Sequence, residues 1–388
     1  FNYFKNTTEI NMFYFLNYAY NPNTAATNRA LAYLKGLSEL GIQTRVEFFL
    51  TDSSKSKISQ DYPNLDIHYR WDKWYYINHK YLKHIFYVFS LLIFVLNLKK
   101  GDTVYMYNMA DALHFVLKRK GIKVFVEKTE HPSMYPLGSH SFHPSMEMYK
   151  ADCTKASGII TVSTSLVKFF VEEAGVEKGR IKIVNMIVDD KRFCGVKPAK
   201  YEKPYFGYCG TISTFKDGVD ILIKSFAQFC SKHSGYQLRI AGRFGTAEDE
   251  RIITGLVKEY GLEESVVFVG LVSAAEMPSF LMGATAVVLS RPDNIQARNG
   301  FPGKLGEYLL SKSTIIVTAV GDIPLFVKDK VSGLIVIPDD VEEFAAALNW
   351  VVEHPEEATR LGVRGEQLAR DHFNYMTETK KLVDFMGI

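Results

Sequence analysis

The sequence predicts an α/β protein made of two doubly wound parallel sheets. Short β-branched runs alternate with helical periodicity along the whole chain, the pattern of parallel sheets covered by helices. Several candidate strands are followed at once by glycine or serine (Gly210, Gly242, Gly270, Ser290), which puts loops at the carboxyl edge of a sheet, where doubly wound folds bind ligands. The length of 388 residues, at roughly 150 per domain, gives two domains. Two such domains facing each other would enclose a deep cleft.

Expected strands in the first half are Met12 to Tyr18, Thr44 to Phe49, Thr103 to Tyr107, Lys123 to Glu127 and Gly158 to Val162. Between the first two, Ala26 to Leu40 has apolar residues at helical spacing and stops at Gly41, which tolerates the left-handed dihedrals that close helices. Around Val188 to Tyr205 the periodicity lapses into Lys, Pro and Asp, the expected interdomain linker. Second-half strands are expected at Tyr205 to Cys209, Gln237 to Ala241, Val266 to Val269, Ala286 to Ser290, Thr314 to Thr318 and Gly333 to Ile337. Amphipathic helices such as Gly218 to His233 and Val341 to Glu353 lie between them. The domains are thus expected at residues 1–190 and 200–372.

Composition narrows the function classes. With 47% hydrophobic and 23% charged residues, disorder and small disulfide scaffolds are excluded. A net charge of +3 is too small for a protein that wraps nucleic acid, so any basic function is local. Cys153, Cys194, Cys209 and Cys230 form no C-x-x-C pair, which fits a reducing compartment. Phe1 to Met12 mixes polar residues among aromatics and does not read as a secretory signal, and the absence of an initiator Met leaves room for an upstream piece. The most apolar stretch, Ile85 to Leu98, is shorter than the roughly 18 to 20 residues a spanning helix needs, so it reads as a buried or interfacial helix.

Two loops carry the chemistry. Gly210-Thr-Ile-Ser-Thr-Phe-Lys-Asp-Gly218 joins a strand to a helix; its small and hydroxyl residues let backbone N–H groups approach an anion, and Lys216 adds a positive charge. Plain turn chemistry would use the same residues, and neither a Walker loop nor a dinucleotide glycine spacing is present. In Asn299-Gly-Phe-Pro-Gly-Lys-Leu-Gly-Glu307, Pro302-Gly303 breaks the chain before a helix beginning near Lys304, with Glu307 in its first turn. Glu307 is either a dipole and capping partner or a carboxylate that accepts hydrogen bonds from a ribose.

The succession "GYCGTISTFKDGVDILIKSF", "LRIAGRFGTAEDERI", "VVFVGLVSAAEMPSFLMGATAVVLS", "NGFPGKLGEYLLSKSTIIVTAVGDIP" and "VSGLIVIPDDVEEFAAALNWVVEHPEEATRLG" resembles the nucleotide-sugar domain of retaining glycosyltransferases of family 4. The likeness covers Tyr205 to His372; the first half is similar in layout only. It implies two Rossmann-like domains facing across a cleft (the GT-B arrangement), the first on the acceptor side, with a final helix 374–386 crossing back to it. It further implies that Lys216 contacts the donor diphosphate, that Glu307 binds the donor ribose, and that Gly303 and Lys304 face the same phosphates from the helix start. Gly210, Thr211 and Ser213 would line the donor loop. The chain departs from the family's pattern at two points: Asn299 replaces the first of two glutamates, and Thr211 replaces a basic residue after the strand-end glycine. Arg243 or Arg298 could restore a cation, or each could be a solvated surface arginine. The "G-x-P-x-K-x-x-E-Y" version is similar to transferases of bacterial surface polysaccharides.

In the first half, Lys128-Thr-Glu130-His131-Pro follows a strand. The resemblance makes His131, or alternatively Glu130, a contact of the transferred sugar; the plain reading is a polar turn before Pro132. His140, His143 and Glu147 match no standard zinc spacing, and the resemblance implies a metal-independent enzyme without a cofactor. In Tyr20 to Arg29, Thr27 or Asn28 could cap the helix, and Asn23 and Arg29 could contact acceptor or phosphate. Arg70 to Tyr87 mixes aromatic and basic residues and runs into the apolar stretch, which fits either a membrane interface or a core helix. The expected activity is retaining sugar transfer from a UDP- or GDP-sugar to a saccharide or lipid-linked saccharide, in bacterial surface polysaccharide or glycolipid synthesis. The expected location is cytoplasmic, peripheral on the inner face of the plasma membrane, with no nucleic-acid partner. Rival readings are a nucleotide-sugar epimerase or hydrolase on the same architecture, and a non-catalytic partner subunit.

Overall fold

A computed structural model describes residues 11–17, 20, 24–50, 57–58, 62–70, 80–107, 109–134 and 144–388. The chain divides into two compact units, one comprising residues 1–161, 167–184 and 379–388, the other residues 162–166 and 185–378. Each is organised around its own parallel sheet.

The first unit's strands are β1 (Phe13–Asn17), β2 (Thr44–Phe48), β3 (Leu65–Tyr69), β4 (Thr103–Tyr107), β5 (Lys123–Lys128), β6 (Gly158–Thr161) and β7 (Ile181–Ile183), in spatial order β3-β2-β1-β4-β5-β6-β7. The second unit has β8 (Tyr205–Cys209), β9 (Gln237–Ala241), β10 (Val266–Gly270), β11 (Ala286–Leu289), β12 (Thr314–Thr318) and β13 (Leu334–Val336), in order β10-β9-β8-β11-β12-β13. Both orders reverse once, between β1 and β4 and between β8 and β11, which is the doubly wound signature. Central strands such as β4, β8 and β12 are buried along their whole length, as strands covered on both faces must be.

Two strands were absent from the sequence reading. Leu65-Asp-Ile-His-Tyr69 and Ile181-Lys-Ile183 are edge strands, only partly buried, so they mix polar residues with apolar ones and lose the hydrophobic run that marks central strands. The first helix, α1 (Ala25–Glu39), is closed by Gly41 at φ +75°. Its cap is neither Thr27 nor Asn28: because the helix starts at Ala25, Thr24 lies at the N-cap and its hydroxyl accepts from Thr27 N. The apolar stretch forms α2 (Lys80–Asn97), which buries Tyr87, Leu91, Phe94 and Val95 and exposes apolar side chains on its other face.

The final helix, Tyr375–Met386, starts in the second unit and ends in the first. In the first unit its residues pack closely: a Cβ on Gly36 would stand 2.2 Å from the Thr379 hydroxyl, and Phe385 meets Phe125 edge-on at 5.6 Å. The four cysteines are free thiols, and burial pushes Cys153 up to about 11 and Cys209 up to about 12, which leaves both protonated and unreactive near neutrality.

One buried ion pair stands at the carboxyl edge of the first sheet. Glu127, near the end of β5, is fully buried and accepts from Arg29 of α1 and from the Tyr105 hydroxyl. Arg29 also donates to the Val184 carbonyl at 2.6 Å and reaches the Tyr33 hydroxyl at 3.1 Å. Truncating one partner leaves an uncompensated buried charge, so Glu127→Ala should cost about 3–5 kcal/mol of stability. Urea unfolding checks this, and a loss below about 1 kcal/mol, the level of a surface pair, would contradict it.

Candidate functional site

The second unit's order reverses between β8 and β11, so the loops that leave these neighbouring strands turn to opposite faces and open a crevice at their carboxyl ends. Gly210 to Gly218 follows β8; Ser290 and Arg291 follow β11. The Ser290 hydroxyl lies 3.0 Å from the Asp217 carbonyl and 2.9 Å from that of Gly218, and ties the two loops together. Gly218, at φ +61°, ends a short helix Thr214–Asp217 and starts the helix Val219–Cys230. A side chain there would collide with the Ser290 carbonyl oxygen, 2.2 Å from where its Cβ would be.

The loop after β8 is held closely against the loop after β9. Gly210 N donates to Ala241 O at 2.9 Å, Ile212 N to Arg243 O at 2.8 Å and Gly245 N to Ile212 O at 2.9 Å. Gly242, at φ +148°, would place a Cβ 1.8 Å from the Gly210 carbonyl oxygen, so only glycine permits this approach. Asp249 clamps the loop from the next helix, accepting from Thr214 N at 2.8 Å and from the hydroxyls of Thr214 and Thr246 at 3.0 and 2.8 Å. Desolvation acts to raise the Asp249 pKa, and these hydrogen bonds outweigh it and hold the carboxyl below its ordinary range. Ser213 is buried and its Oγ accepts from Lys216 N at 3.2 Å, while the Lys216 and Thr211 side chains are exposed.

At the centre lies Asp217, a buried carboxylate that sequence reading passed over. Lys304 Nζ is 2.7 Å from its Oδ2, the Tyr208 hydroxyl is 2.8 Å from the same oxygen, and Arg291 Nε is 3.8 Å from Oδ1. The Lys304 ammonium also lies 4.7 Å from the centre of the Tyr208 ring and against Gly210, where a Cβ would meet it at 2.0 Å. Desolvation pushes the Asp217 pKa up; Lys304 and Arg291, aided by the hydrogen bonds, outweigh it and hold the group below the usual carboxylate range. Two cations share one carboxylate, so the cluster carries one net positive charge, and exposed Lys216 adds another beside it. Such a site suits a multiply charged anion. The signal for Asp217 was its place between Lys216 and the helix-starting Gly218; Arg291 had none beyond following a strand.

Glu307, in the first turn of the helix Leu305–Leu310, is ion-paired with Arg192, whose other nitrogen donates to Ala274 O at 2.7 Å. Arg192 lies in the aperiodic linker, where nothing in the sequence marked it. Gly303 is exposed just ahead of that helix, and Lys304 is its N-cap residue. Asn299 ends the helix Ile295–Asn299; its Oδ1 accepts from the Ser165 hydroxyl at 2.8 Å and its Nδ2 donates to Ile295 O. Arg298 is exposed and paired with Asp293, with a contact of 2.8 Å from Nη2, and Arg243 is exposed after Gly242. Where Thr211 stands in place of a basic residue, Lys304 lies against Gly210, with Arg291 on the other side of Asp217.

In the first unit, Glu130 and His131 follow β5 and are half-buried. His131 Nδ1 is 2.8 Å from the Ser133 hydroxyl, and its ring meets Phe169 edge-on at 4.9 Å. Burial lowers its pKa, opposed by Glu173 and reinforced by Lys150, which favours the neutral imidazole. Arg29 is buried and ion-paired with Glu127. Asn23, His140 and His143, and residues 71–79 of the aromatic and basic segment, lie outside the described residues; Glu147 sits in the first turn of the helix Met146–Lys155.

The sequence profile of the family described as "Glycosyl transferases group 1" matches residues 191–368, which lie within the second unit. Mannosylfructose-phosphate synthase of Agrobacterium fabrum is 24% identical over 239 residues, covering 58% of this chain and 51% of that protein, so the match spans about half the length of this curated relative. Among solved structures, Anabaena Alr3699/HepE in complex with UDP superposes with a TM-score of 0.74 at 16% identity, covering 97% of this chain and 99% of that one. Sucrose-phosphate synthase from Thermosynechococcus elongatus gives 0.76 at 16% identity, with 97% and 98% covered. The fold is therefore that of the GT-B glycosyltransferases, two parallel-sheet α/β domains.

The Asp217 cluster has a pH signature. Its folded pKa is depressed, so near and below the ordinary value of about 3.9 the unfolded chain binds more protons than the folded one. Its contribution to stability is present in full above that range and is lost as pH falls through the folded pKa. Asp217→Asn, which removes the carboxylate that half-buried Lys304 and buried Arg291 both face, should cost about 3–5 kcal/mol at neutral pH. The difference from wild type should shrink as pH falls toward about 3; a pH-independent difference in urea unfolding would refute this account.

Proposed function

We propose that this chain, whose residues 191–368 match the group 1 glycosyl transferase profile, moves a sugar from a nucleotide-diphosphate donor to an acceptor hydroxyl. The observation that carries the proposal is the net positive Asp217–Lys304–Arg291 cluster beside the close-packed Gly210 loop at the β8–β11 switch point. When the donor's glycosidic bond breaks, negative charge grows on the leaving diphosphate. Lys304 and Lys216, with Arg291 behind, are placed to stabilise it electrostatically. Asp217 is a positioning residue in this scheme, holding the Lys304 ammonium at the mouth of the loop. Gly210, Thr211, Ser213 and Gly303 line the same donor subsite.

Glu307 is assigned to the donor ribose, with Arg192 as the partner that holds its carboxylate until the sugar hydroxyls arrive. In the first unit, Glu130 and His131 are assigned to contact with the transferred sugar, His131 as a neutral imidazole. We further propose membership of the retaining family 4, with retention by front-face departure of the leaving diphosphate, assisted by the phosphate and independent of a metal. UDP is favoured over GDP as the donor's carrier, because solved structures of HepE, a protein of the same fold, hold UDP and UDP-glucose. The acceptor is proposed as a saccharide or lipid-linked saccharide in bacterial surface polysaccharide or glycolipid synthesis, with the enzyme on the cytoplasmic side of the membrane.

A non-catalytic subunit is the second reading, favoured by Asn299 and Thr211 in place of charged residues. Calorimetry with UDP and GDP separates the two. A catalytic donor site should bind UDP, and Lys304→Ala should weaken that binding by on the order of tenfold, about 1.4 kcal/mol. Lys216→Ala and Glu307→Ala should each cut transfer sharply with the fold intact. No binding of either nucleotide, or wild-type affinity and turnover in all three variants, would remove the assignment.

A further inference from the structure

The unpartnered face of α2 has no place in the donor chemistry. Leu82, Ile85, Phe89, Leu92, Ile93 and Leu96 recur every three or four residues along this helix and form one exposed stripe, with Ile85 58%, Phe89 59% and Leu96 71% accessible. The opposite stripe, Tyr87, Leu91, Phe94 and Leu98, is buried in the first unit. Among the described residues no helix is long and apolar enough to cross a membrane.

Cations gather at the C-terminal end of that stripe. Lys99 and Lys100, both exposed, follow Leu96 by three and four residues. Arg119 donates to the Leu98 carbonyl through Nε at 2.9 Å and Nη2 at 2.6 Å, which brings the exposed side chains of Lys118, Arg119 and Lys120 to the same corner. Lys123 joins them, its N–H donating to Asp102 O at 2.9 Å. The sequence has no Asp or Glu between Asp72 and Asp102 or between Asp111 and Glu127. Asp102 itself is buried, accepting from Met12 N and Lys99 N.

We propose that this face is a docking surface for an anionic lipid bilayer, with the α2 stripe set into the acyl boundary and the Lys99–Lys123 corner against the headgroups. The argument for lipid is charge complementarity: an apolar stripe flanked by cations and free of acidic residues is the make-up of interfacial helices on anionic leaflets. A second copy of the chain would have to cover the stripe with the same cation-flanked face and no carboxylate from these segments to answer it.

Co-sedimentation of the full chain with phosphatidylcholine vesicles, with and without phosphatidylglycerol, tests the proposal. Binding should require phosphatidylglycerol and weaken with salt. It should fall by on the order of tenfold in Phe89→Glu/Leu96→Glu and again in Lys99→Glu/Lys100→Glu. All these side chains are exposed, and circular dichroism with a melting curve shows that each variant is folded. Failure of a folded wild-type chain to bind, equal binding to both vesicle types, or unchanged binding in both variants overturns the proposal. So does a concentration-dependent dimer that Leu96→Glu dissolves while vesicles are ignored. The outcome is separate from the donor assignment, because UDP binding should be the same in wild type and in both variants.

Discussion

A buried carboxylate that must answer two cations, Asp217 between Lys304 and Arg291, governs the geometry of the second unit's site. Taking Asp217 out of water is costly unless it is both paired and hydrogen-bonded. That requirement brings residues from two loops and a strand to one point. Lys304 comes from the segment before a short helix, Arg291 from the loop after β11, and Tyr208 from β8. The same loop is pinned from below by Ser290 and from the side by Asp249, and Gly242 permits its close approach to the β9 loop. A cationic site built this way is preorganised, so an arriving anion finds charges already in place.

The first unit uses a related device. Glu127, in β5 at the carboxyl edge, is buried against Arg29 from the first helix and the Tyr105 hydroxyl. There one carboxylate meets one arginine, and the pair is neutral. In the second unit two cations meet one carboxylate, and the surplus is positive. The two sheets share a winding order, and local charge arithmetic at the strand ends separates a structural ion pair from a candidate anion site.

Net charge conceals this organisation. A balance of +3 spread over 388 residues says little about binding. Two local groups of cations stand out, one at the β8–β11 switch point and one at the end of α2, and acidic residues elsewhere offset both. In the proposed reading each group acts locally, beside something that would lend it strength: a buried, low-dielectric loop in the first case, an exposed apolar stripe in the second.

Alternating hydrophobic runs, strand-ending glycines and ordered loop motifs determined, by themselves, the α/β class, every central strand and the two loops that hold Lys216, Lys304 and Glu307. These features are local, since a strand buried on both faces must be apolar and a sharp turn must use glycine or proline. The edge strands β3 and β7 escaped because half-exposed strands carry no such demand. Tertiary structure alone decided which charged residues meet. Arg29 joined Glu127 98 positions away, Asp217 met Lys304 87 positions away, and Glu307 met Arg192 across 115. Ion pairing depends on where the winding order brings strand ends together, and a single sequence holds no periodicity that records a partner at such a distance.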